Sequence, residues 1–542
     1  MYAGNLDTYD RYATSIVVWG SPVDDEVREA IRERGIHYQT SMWLLTAGPG
    51  ALHRREDLRQ ATVRDFQGEP IVVPWLWDME HEGTPAWWGC TNSPAFRELC
   101  RERVRRAMAC QPDGLHIDDH CGTSNAVPEG GCFCDHCIDG FRRYLARDES
   151  FDYRSLIEKH VADRGEYCEK RLNLPLQQEF ATFHVKAAAE FVRELKNLAE
   201  NQTDTDITLS VNTLVSEPRH LADSVHATFL GGETPFLQRE DRRPGPGPIF
   251  SFKIAEALDR PLAATAAGWN WAHVRETGQT ELVKMWIAQS YAFGQLFMAP
   301  HHQWCYTDEK GTHWYDPSDE IFAPLYRFIR NNAAVFDGYR SAYQVALVHS
   351  NRSMRKGDES TRRWSQQLAN AGVQFELVLA GDEWVTGNLD AGCLARHDKL
   401  LVPENSILSD HQQQLISEWG EDGECLRLTP DADPSLHFSP WVRIEGAAQM
   451  QAVLRFSADG KDSAVVHLLN RNYRPESDEV IEQCDVRATV SSEALAGRSC
   501  EKATLYAPGR ERRQLDVDHI RNGIGIDLPS LGLWTIIHLE LT

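Results

Sequence analysis

The sequence has no long apolar run and relatively few basic residues. Nowhere do about 18 uncharged apolar residues follow one another, as a membrane-crossing helix requires, and the N-terminal MYAGNLDTYDRYATS lacks a basic stretch followed by an apolar one. The 56 basic residues against 80 acidic ones leave a net charge of −24 at pH 7, which repels polyanions. We therefore expect a cytoplasmic protein without a membrane anchor or a nucleic-acid partner.

A phosphate-binding loop and a disulfide framework are also missing. Glycine-rich segments such as GGETPF lack the strand-to-helix context and the Lys-Ser/Thr pair of a P-loop. The 13 cysteines are an odd number, and several fall inside helical patterns. This usage suits a reducing compartment in which thiols stay free or bind metal.

Enough apolar residues are present for several folded domains. Hydrophobic residues make up 42% of the chain and aromatic residues 9%, which is ample for a packed interior. A chain of 542 residues, at about 150 residues per domain, is expected to form two to four domains.

The first 340 residues alternate short β-branched or aromatic runs with amphipathic stretches, a pattern typical of βα units around a parallel sheet. The runs are SIVVWG (15–20), IHYQTSMWLL (36–45), PIVVPWLW (70–77), DGLHIDD (113–119), ITLSVNT (207–213), HATFLGGE (226–233), PLAATAAGWNW (261–271) and LFMAPHHQW (296–304). Eight strands with intervening helices predict an α/β fold, a (β/α)8 TIM barrel over residues 1–340. A doubly wound open sheet is the alternative.

Two smaller domains are predicted after the barrel. YQVALVHS, FELVLA and KLLVPEN alternate with helical stretches, which predicts a flavodoxin-like α/β domain over residues 341–432. Short alternating strands such as DSAVVHLLN and TIIHLEL, with turn residues between them, predict a C-terminal β-sandwich over residues 433–542.

The segment GCFCDHC places Cys132, Cys134 and Cys137 close together, so that three thiolates can converge on one tetrahedral zinc ion. A fourth ligand must come from elsewhere, and the upstream candidates are Cys90, Cys100, Cys110 and Cys121. Of these, Cys90 stands in a loop just before a helix start, where it is free to reach the other three. Three unligated cysteines are the alternative.

At these segments the chain resembles the zinc-containing family-42 β-galactosidases. CTNSPAFR is similar to the Cys-Pro-Asn-Ser-Pro-x-Tyr-Arg segment of that family, and CFCDHCIDGFRRYL to its cysteine-rich segment. KMWIAQSYAFGQLFMAPHHQW resembles the last barrel helix and strand, with Cys305 at the position of an arginine. The resemblance implies a barrel, a glutamine-amidotransferase-like trimerisation domain, a small β domain and a homotrimer. It also implies one structural zinc ion held by Cys90, Cys132, Cys134 and Cys137.

The chain departs from that family at both catalytic positions. The strand-four motif of the family resembles Gln-x-Asp-Asn-Glu-Tyr-Gly, and here the stretch is HIDDHCG. Asp118 matches the Asp, Asp119 replaces the Asn, and His120 falls where the acid Glu stands. The run PLAATAAGWNW has no carboxylate where the family has its nucleophile. The β-galactosidase mechanism therefore cannot be transferred to this chain.

The remaining carboxylates at strand ends lead to a separate hypothesis. Glycoside hydrolysis needs a carboxylic acid and an opposing carboxylate, and barrels place their active sites at the carboxyl ends of strands. We predict Asp119 as general acid, its pKa raised by the like charge of Asp118, and Glu233 as opposing base or nucleophile. His120 is the alternative acid, and an Asp118 that only hydrogen-bonds inside the barrel is the alternative for that residue.

Aromatic and polar side chains near the same strand ends predict a carbohydrate substrate, because indole rings stack on sugars and hydroxyls need polar partners. The predicted substrate-binding residues are Trp43, Trp77, Asn212, Asn270, Trp271, His301, His302, Gln303 and Trp304. The predicted function is glycoside hydrolysis of a small oligosaccharide or glycoside inside the cell.

Two other functions stay open at this point. One is a polysaccharide or glycoside lyase that uses a histidine base. Its candidate bases are His120, His301 and His302, and its candidate uronate-binding residues are Arg239, Arg242 and Arg243. The other is a sugar-binding protein that lost both family glutamates.

Overall fold

The computed structural model describes residues 5–48, 57–81, 83–203, 205–238, 247–458 and 463–542. By its contacts the chain divides into two compact units. Unit 1 comprises Met1–Asp7, Thr14–Gly232 and Tyr306–His313, and unit 2 comprises Thr8–Ala13, Glu233–Cys305 and Trp314–Thr542. Arg239, Arg242 and Arg243, the predicted uronate-binding residues, lie outside the described residues. Among the described helices, none combines the length and the apolar character that crossing a membrane requires.

The first 234 residues contain seven strands and nine helices within the described ranges. The strands are β1 Ile16–Gly20, β2 His37–Trp43, β3 Glu80–His81, β4 Thr84–Pro85, β5 Gly114–Asp118, β6 Thr208–Asn212 and β7 Phe229–Thr234. The helices are α1 Leu6–Tyr12, α2 Asp25–Glu33, α3 Asp57–Gln60, α4 Pro94–Met108, α5 Thr123–Ala126, α6 Asp135–Tyr144, α7 Tyr153–Ile157, α8 Arg164–Lys170 and α9 Gln177–Glu200. Short 3₁₀ helices cover Pro74–Leu76, Arg171–Asn173 and Pro218–Leu221.

Unit 1 is built on a parallel sheet in the order β1, β2, β5, β6, β7. Successive side chains of a strand face opposite sides, so Leu115 and Ile117 of β5 share one face and His116 and Asp118 the other. Leu115 and Ile117 are fully buried apolar side chains. The polar side chains of β5 therefore occupy a face of their own.

The run PIVVPWLW (70–77) does not form the predicted third strand of the barrel. β2 pairs directly with β5, so no strand lies between them. Two prolines in the run lack an N–H for a ladder. Ile71 N–H donates to Val63 O at 3.0 Å and Val73 N–H to Ala86 O at 3.0 Å, and a 3₁₀ helix follows. The fold is thus α/β with a curled parallel sheet, a half-barrel, and an eight-stranded closed barrel is not confirmed.

The remaining described elements belong to the second part of the chain. The strands are β8 Leu262–Ala266, β9 Leu296–Phe297, β10 Gln303–Thr307, β11 Gly311–Tyr315, β12 Tyr339–Ser341, β13 Val345–Ser350, β14 Phe375–Ala380, β15 Lys399–Pro403, β16 Glu424–Leu428, β17 Val442–Glu445, β18 Met450–Ser457, β19 Ser463–Asn470, β20 Tyr473–Arg474, β21 Glu479–Val480, β22 Gln483–Ser491, β23 Cys500–Tyr506, β24 Arg513–Leu515, β25 Asp518–Ile520, β26 Gly523–Leu531 and β27 Trp534–Leu541. The helices are α10 Gly247–Ala257, α11 Gly268–Thr277, α12 Thr280–Ala292, α13 Asp319–Asn331, α14 Asn351–Arg355, α15 Ser360–Asn370, α16 Ala391–Leu394, α17 Asp410–Trp419 and α18 Ser492–Leu495, with 3₁₀ helices at Ala333–Val335 and Pro434–Leu436.

Unit 2 contains parallel and antiparallel sheets. β8 and β9 form a parallel pair, and β14, β13, β15 and β16 form a four-stranded parallel sheet in that order, the order of a doubly wound domain. Two antiparallel sheets follow, in the orders β12-β18-β19-β27-β23-β24 and β17-β22-β26-β25. Alternate side chains of their long strands, among them Leu454, Val466, Ile526 and Ile537, build one apolar core.

A buried histidine in the four-stranded domain makes its stability depend on pH. His397 Nε2 lies 2.8 Å from Glu376 Oε1. Burial lowers the pKa of His397, but contacts with Cys393 and Glu376 outweigh it and raise the pKa from 6.5 to about 9. A raised pKa in the folded state stabilises the protein fully below the unfolded value, and this stabilisation is lost as pH rises through the folded value.

We therefore expect Glu376→Gln to lower the thermal unfolding midpoint at about pH 6 and to have little effect at about pH 10. Thermal denaturation followed by circular dichroism at both pH values measures this difference. An equal loss at both pH values would contradict the assignment of this pair as the cause.

Candidate active site

Polar side chains fill two layers on the inward face of three neighbouring strands in unit 1. The layer at the carboxyl ends contains Asp118 and Asn212, and the layer below it contains Ser41, His116 and Ser210. Barrel interiors of this type are ordinarily filled by branched apolar residues. The polar layers therefore mark this end of the sheet as the candidate active site.

The carboxylate of Asp118 is held by several N–H donors. Asn212 Nδ2 donates to Asp118 Oδ1 at 2.7 Å, and the backbone N–H of Asp119 donates to the same oxygen at 3.1 Å. Burial raises the pKa of Asp118, whereas these two donors, a hydrogen bond from Trp19 and the charge of His120 oppose the rise. The net result is a raised pKa for a buried carboxyl group that nevertheless accepts hydrogen bonds from three donors.

The layer below holds His116 in one tautomer. Ser210 Oγ donates to Gln39 Oε1 at 2.6 Å, so it accepts from His116 Nδ1, 2.8 Å away. Burial, with the charge of His120, lowers the pKa of His116 to about 3, so the ring is neutral. Its Nε2 has no hydrogen-bond partner among the described residues, and the ring meets Trp19 edge-on with centroids 4.3 Å apart. His116 thus supports the indole that contacts Asp118.

The turn after β5 separates Asp119 from Asp118. Asp119 has a φ of 51° and Gly122 a φ of 46°, both left-handed. A Cβ at Gly122 would lie 2.4 Å from Thr91 Cγ2, so a glycine is required there. Asp118, and not Asp119, continues the inward face of His116. Burial raises the pKa of Asp118, and the raised pKa of Asp119 stays a prediction.

A buried histidine–aspartate pair follows directly. His120 Nδ1 lies 2.6 Å from Asp223 Oδ2, and the two side chains are 1% and 4% exposed. Burial lowers the pKa of His120, but the Asp223 charge and contacts with Cys121 raise it well above its usual value. Burial lowers the pKa of His220, whose ring lies 5.5 Å from that of His120.

The sequence analysis did not identify Asp223 or His220. Both follow β6 in a turn that carries no motif. The thiol of Cys121 lies 3.6 Å from His120 Nε2 and 3.9 Å from Nδ1. The sulfur is thus almost equally far from both ring nitrogens and lies beside the ring, off the direction of the Nε2 lone pair. This placement does not suit a metal ion shared by Cys121 Sγ and His120 Nε2.

Four buried thiols in unit 1 converge as the cysteine motif predicts. Cys90 Sγ lies 3.6 Å from Cys134 Sγ and 3.4 Å from Cys137 Sγ, and with Cys132 all four sulfurs lie within 4.8 Å of one another. A tetrahedron with Zn–S bonds of about 2.3 Å has sulfur–sulfur edges of about 3.8 Å. Asn92 Nδ2 also donates to Cys137 Sγ at 3.4 Å. The donor set and its spacing fit a zinc ion.

Three of the predicted substrate-binding residues in unit 2 are buried and engaged in packing. Asn270 Oδ1 accepts from Phe236 N–H at 2.8 Å. Trp271 Nε1 donates to Thr265 Oγ1 at 3.1 Å, and that hydroxyl donates to Gln303 Oε1 at 3.0 Å. Asn270, Trp271 and Gln303 therefore support β8 and α11 and do not present a sugar-binding surface.

The histidines at the end of the barrel region pair with nearby carboxylates. His301 Nδ1 lies 3.0 Å from Asp319 Oδ1. His302 contacts Asp316 and stacks on Trp314 with ring centroids 4.1 Å apart. Both rings are partly exposed.

The other predicted residues have intermediate or high exposure. Trp304 is half-buried on β10, and Glu233 is half-buried near the end of β7. Trp43 donates from Nε1 to Thr46 O at 3.3 Å and lies under the Arg103 guanidinium. Trp77 is 52% exposed, which makes it the most accessible of the predicted tryptophans.

Comparison with known proteins places the chain near glycosidases. No family model matches it. An alpha-agarase from Thalassotalea agarivorans is 23% identical over 98% of this chain, and one from Alteromonas agarilytica is 22% identical over 88%. The chain spans only 39% and 35% of the lengths of these two relatives.

Solved structures share the fold at low identity. Alpha-L-fucosidase isoenzyme 2 from Paenibacillus thiaminolyticus matches with a TM-score of 0.66 and 11% identity, covering 99% of this chain and 96% of that one. A beta-galactosidase from Rahnella sp. R3 matches with a TM-score of 0.56 and 12% identity, covering 98% and 95%. At such identity the likeness concerns the fold alone, and the specific resemblance to zinc-containing family-42 enzymes is not confirmed.

Proposed function

We propose that this chain is a glycoside hydrolase in which Asp118 is a catalytic carboxylate. One observation carries the proposal: Asp118 ends a central parallel strand and receives hydrogen bonds from Asn212, Trp19 and its own following N–H. Catalytic groups of such α/β sheets lie at the carboxyl ends of strands. The glycosidase fold neighbours and the alpha-agarase relatives support the same reaction class.

Asp118 takes the role that needs an ionised oxygen. Burial raises the pKa of this carboxyl group, but three donors and the charge of His120 oppose the rise and stabilise the ionised form that a nucleophile or a base requires. A second carboxyl group must then protonate the leaving oxygen. Asp119 and Glu233 stay the predicted residues for that step.

The proposed substrate is a polysaccharide of the kind that the named relatives degrade, and agarose is the first to test. The sequence predicted a smaller glycoside on the basis of the family-42 resemblance. An exposed indole such as Trp77 offers a flat apolar face on which a sugar ring can stack.

Substituting two tryptophans separates binding from packing. Trp77→Ala is expected to weaken substrate binding several-fold and to cost only about 1 kcal/mol of stability, because this indole is half-exposed. Trp271→Ala is expected to cost about 3–5 kcal/mol of stability, because that indole is fully buried. Chemical denaturation and affinity electrophoresis in agarose measure both effects, and equal stability losses in the two variants would contradict these roles.

A structural zinc ion is part of the proposal. Four thiolates saturate a tetrahedral ion and leave no position for a catalytic water. Cys90, Cys132, Cys134 and Cys137 would hold it and tie the loop before α6 to the segment before α4. We also propose that the chain forms a homotrimer, which light scattering after size-exclusion chromatography tests.

Product analysis tests the reaction class. The chain is incubated with agarose and with a panel of neutral and uronate-containing polysaccharides. New reducing ends without ultraviolet absorption of an unsaturated sugar support hydrolysis. An unsaturated product would establish a lyase, and binding without any product would establish a sugar-binding protein; either result overturns the proposal.

A further inference from the structure

We propose that Asp223 is a positioning residue whose carboxylate holds His120 as an imidazolium beside Asp118, so that the buried pair supplies the positive charge that keeps Asp118 ionised. This inference rests on the proposed role of Asp118 and adds a residue that no motif indicates. It also assigns His120 a role other than the acid or the base considered from the sequence.

The contact between the two side chains is short and buried. His120 Nδ1 and Asp223 Oδ2 are 2.6 Å apart, and both side chains are nearly inaccessible. Asp223 Oδ1 has no hydrogen-bond partner among the described residues, and Asp223 Oδ2 lies within hydrogen-bond distance of His120. The Asp223 charge also acts on His226, whose pKa burial lowers. A buried carboxylate without a cation is costly, which favours a proton on the ring.

The neighbouring histidines and the neighbouring thiol are uncharged, so the His120 imidazolium is the cation that acts on Asp118. The titratable groups facing it are Asp118, His116, Cys121, His220 and Asp223, and Arg219 acts on His220 and Cys121. Burial lowers the pKa values of His116 and His220, so both rings are neutral. Burial raises the pKa of the Cys121 thiol, which is therefore uncharged.

His120 follows Asp118 by two residues, directly after the end of β5. The His120 charge lowers the pKa of Asp118 against the effect of burial. Without the Asp223 carboxylate, a buried ring loses its proton near neutral pH. Asp118 would then face a neutral ring and bind a proton more readily.

The pH dependence of kcat and kcat/KM on the polysaccharide that the wild type cleaves tests this. In Asp223→Asn we expect the acidic limb to move to higher pH by about one unit and kcat at about pH 6 to fall about tenfold or more. KM should change little, because the pair is buried away from solvent. Asp223→Glu, which keeps the charge, should restore most of the wild-type profile.

A matched control removes a carboxylate from another histidine pair. Glu376→Gln acts on His397 in the four-stranded domain and should leave the pH profile of kcat unchanged. If Asp223→Asn keeps the wild-type acidic limb while its thermal midpoint falls, Asp223 is merely structural and the proposal is overturned.

A second measurement does not depend on activity. Nitrogen NMR of the full chain with isotope-labelled histidine, with His120→Gln for assignment, reports protonation of both ring nitrogens. We expect a protonated His120 at about pH 8 in the wild type and a neutral ring in Asp223→Asn. A neutral His120 in the wild type overturns the inference. Absence of cleavage with a protonated His120 would instead contradict only the proposed hydrolase function.

Discussion

Asp118→Asn is expected to reduce kcat on a cleaved polysaccharide by about a thousandfold or more, because it removes the charge that the reaction uses. The amide oxygen of the variant can still accept from Asn212 Nδ2 and from the N–H of Asp119. The fold should therefore persist, and the thermal midpoint should stay close to that of the wild type. Reducing-end release over time measures the loss.

The same strand provides a matched control. Asp113 precedes β5 at its other end, where its Oδ2 accepts from Tyr38 N–H at 2.8 Å, and Asp113→Asn keeps an acceptor there. Asp113→Asn should retain activity within about twofold. If Asp118→Asn keeps more than about a tenth of the wild-type activity, Asp118 is not the carboxylate that reacts.

Two further variants identify the partner of Asp118. The variants Asp119→Asn and Glu233→Gln address the predicted acid and the predicted opposing carboxylate. A general acid is needed least with a good leaving group, so the acid variant should recover activity on an activated aryl glycoside. Full activity of both variants on the natural polymer would show that neither residue belongs to the pair.

Cys137→Ser is expected to abolish zinc binding and to lower the thermal midpoint by more than about 10 °C, because a structural zinc site contributes on the order of 10 kcal/mol to folding. The wild type should contain one zinc ion per chain when purified without chelator. The loss of stability should extend beyond the metal site, because the thiols belong to an apolar cluster against which Trp43 and Trp75 pack.

The control for this variant is another buried thiol outside the cluster. Cys110 Sγ donates to the Ala107 carbonyl oxygen at 3.7 Å, and Cys110→Ser should keep both the zinc ion and most of the stability. Metal analysis and thermal denaturation of both variants measure the difference. A wild-type protein without zinc, or a Cys137→Ser variant of unchanged stability, would contradict the site.

Local patterns predicted most of the parallel strands, because alternating buried side chains leave a clear signal. The prediction of a barrel strand at 70–77 was wrong. The β-branched residues of this run resemble a strand, but its two prolines lack an N–H, and among the described residues its backbone bonds to Val63 and Ala86 and not to β2 or β5. In PLAATAAGWNW the strand ends at Ala266 and a helix starts at Gly268. Asn270 and Trp271 therefore lie on a buried helix turn and not at a strand end.

The candidate active site was only partly predictable for a similar reason. Cys132, Cys134 and Cys137 form a compact motif whose spacing predicts their convergence, whereas Cys90 was identified from its loop position and from the family resemblance. The alternation in HIDD already favours Asp118 over Asp119 for the inward face, since His116 and Asp118 are two residues apart. Asp223 had no such signal, because its partner His120 lies 103 residues away in the sequence.

The most direct test of the central claim is the origin of the oxygen at the new chain end. The chain is incubated with agarose in water enriched in heavy oxygen, and the released oligosaccharides are analysed by mass spectrometry. The account predicts one solvent oxygen in every new reducing end, and about a thousandfold fewer such ends in the Asp118→Asn reaction over the same time. Products without solvent oxygen, or products lacking the elements of water, would contradict hydrolysis by this chain.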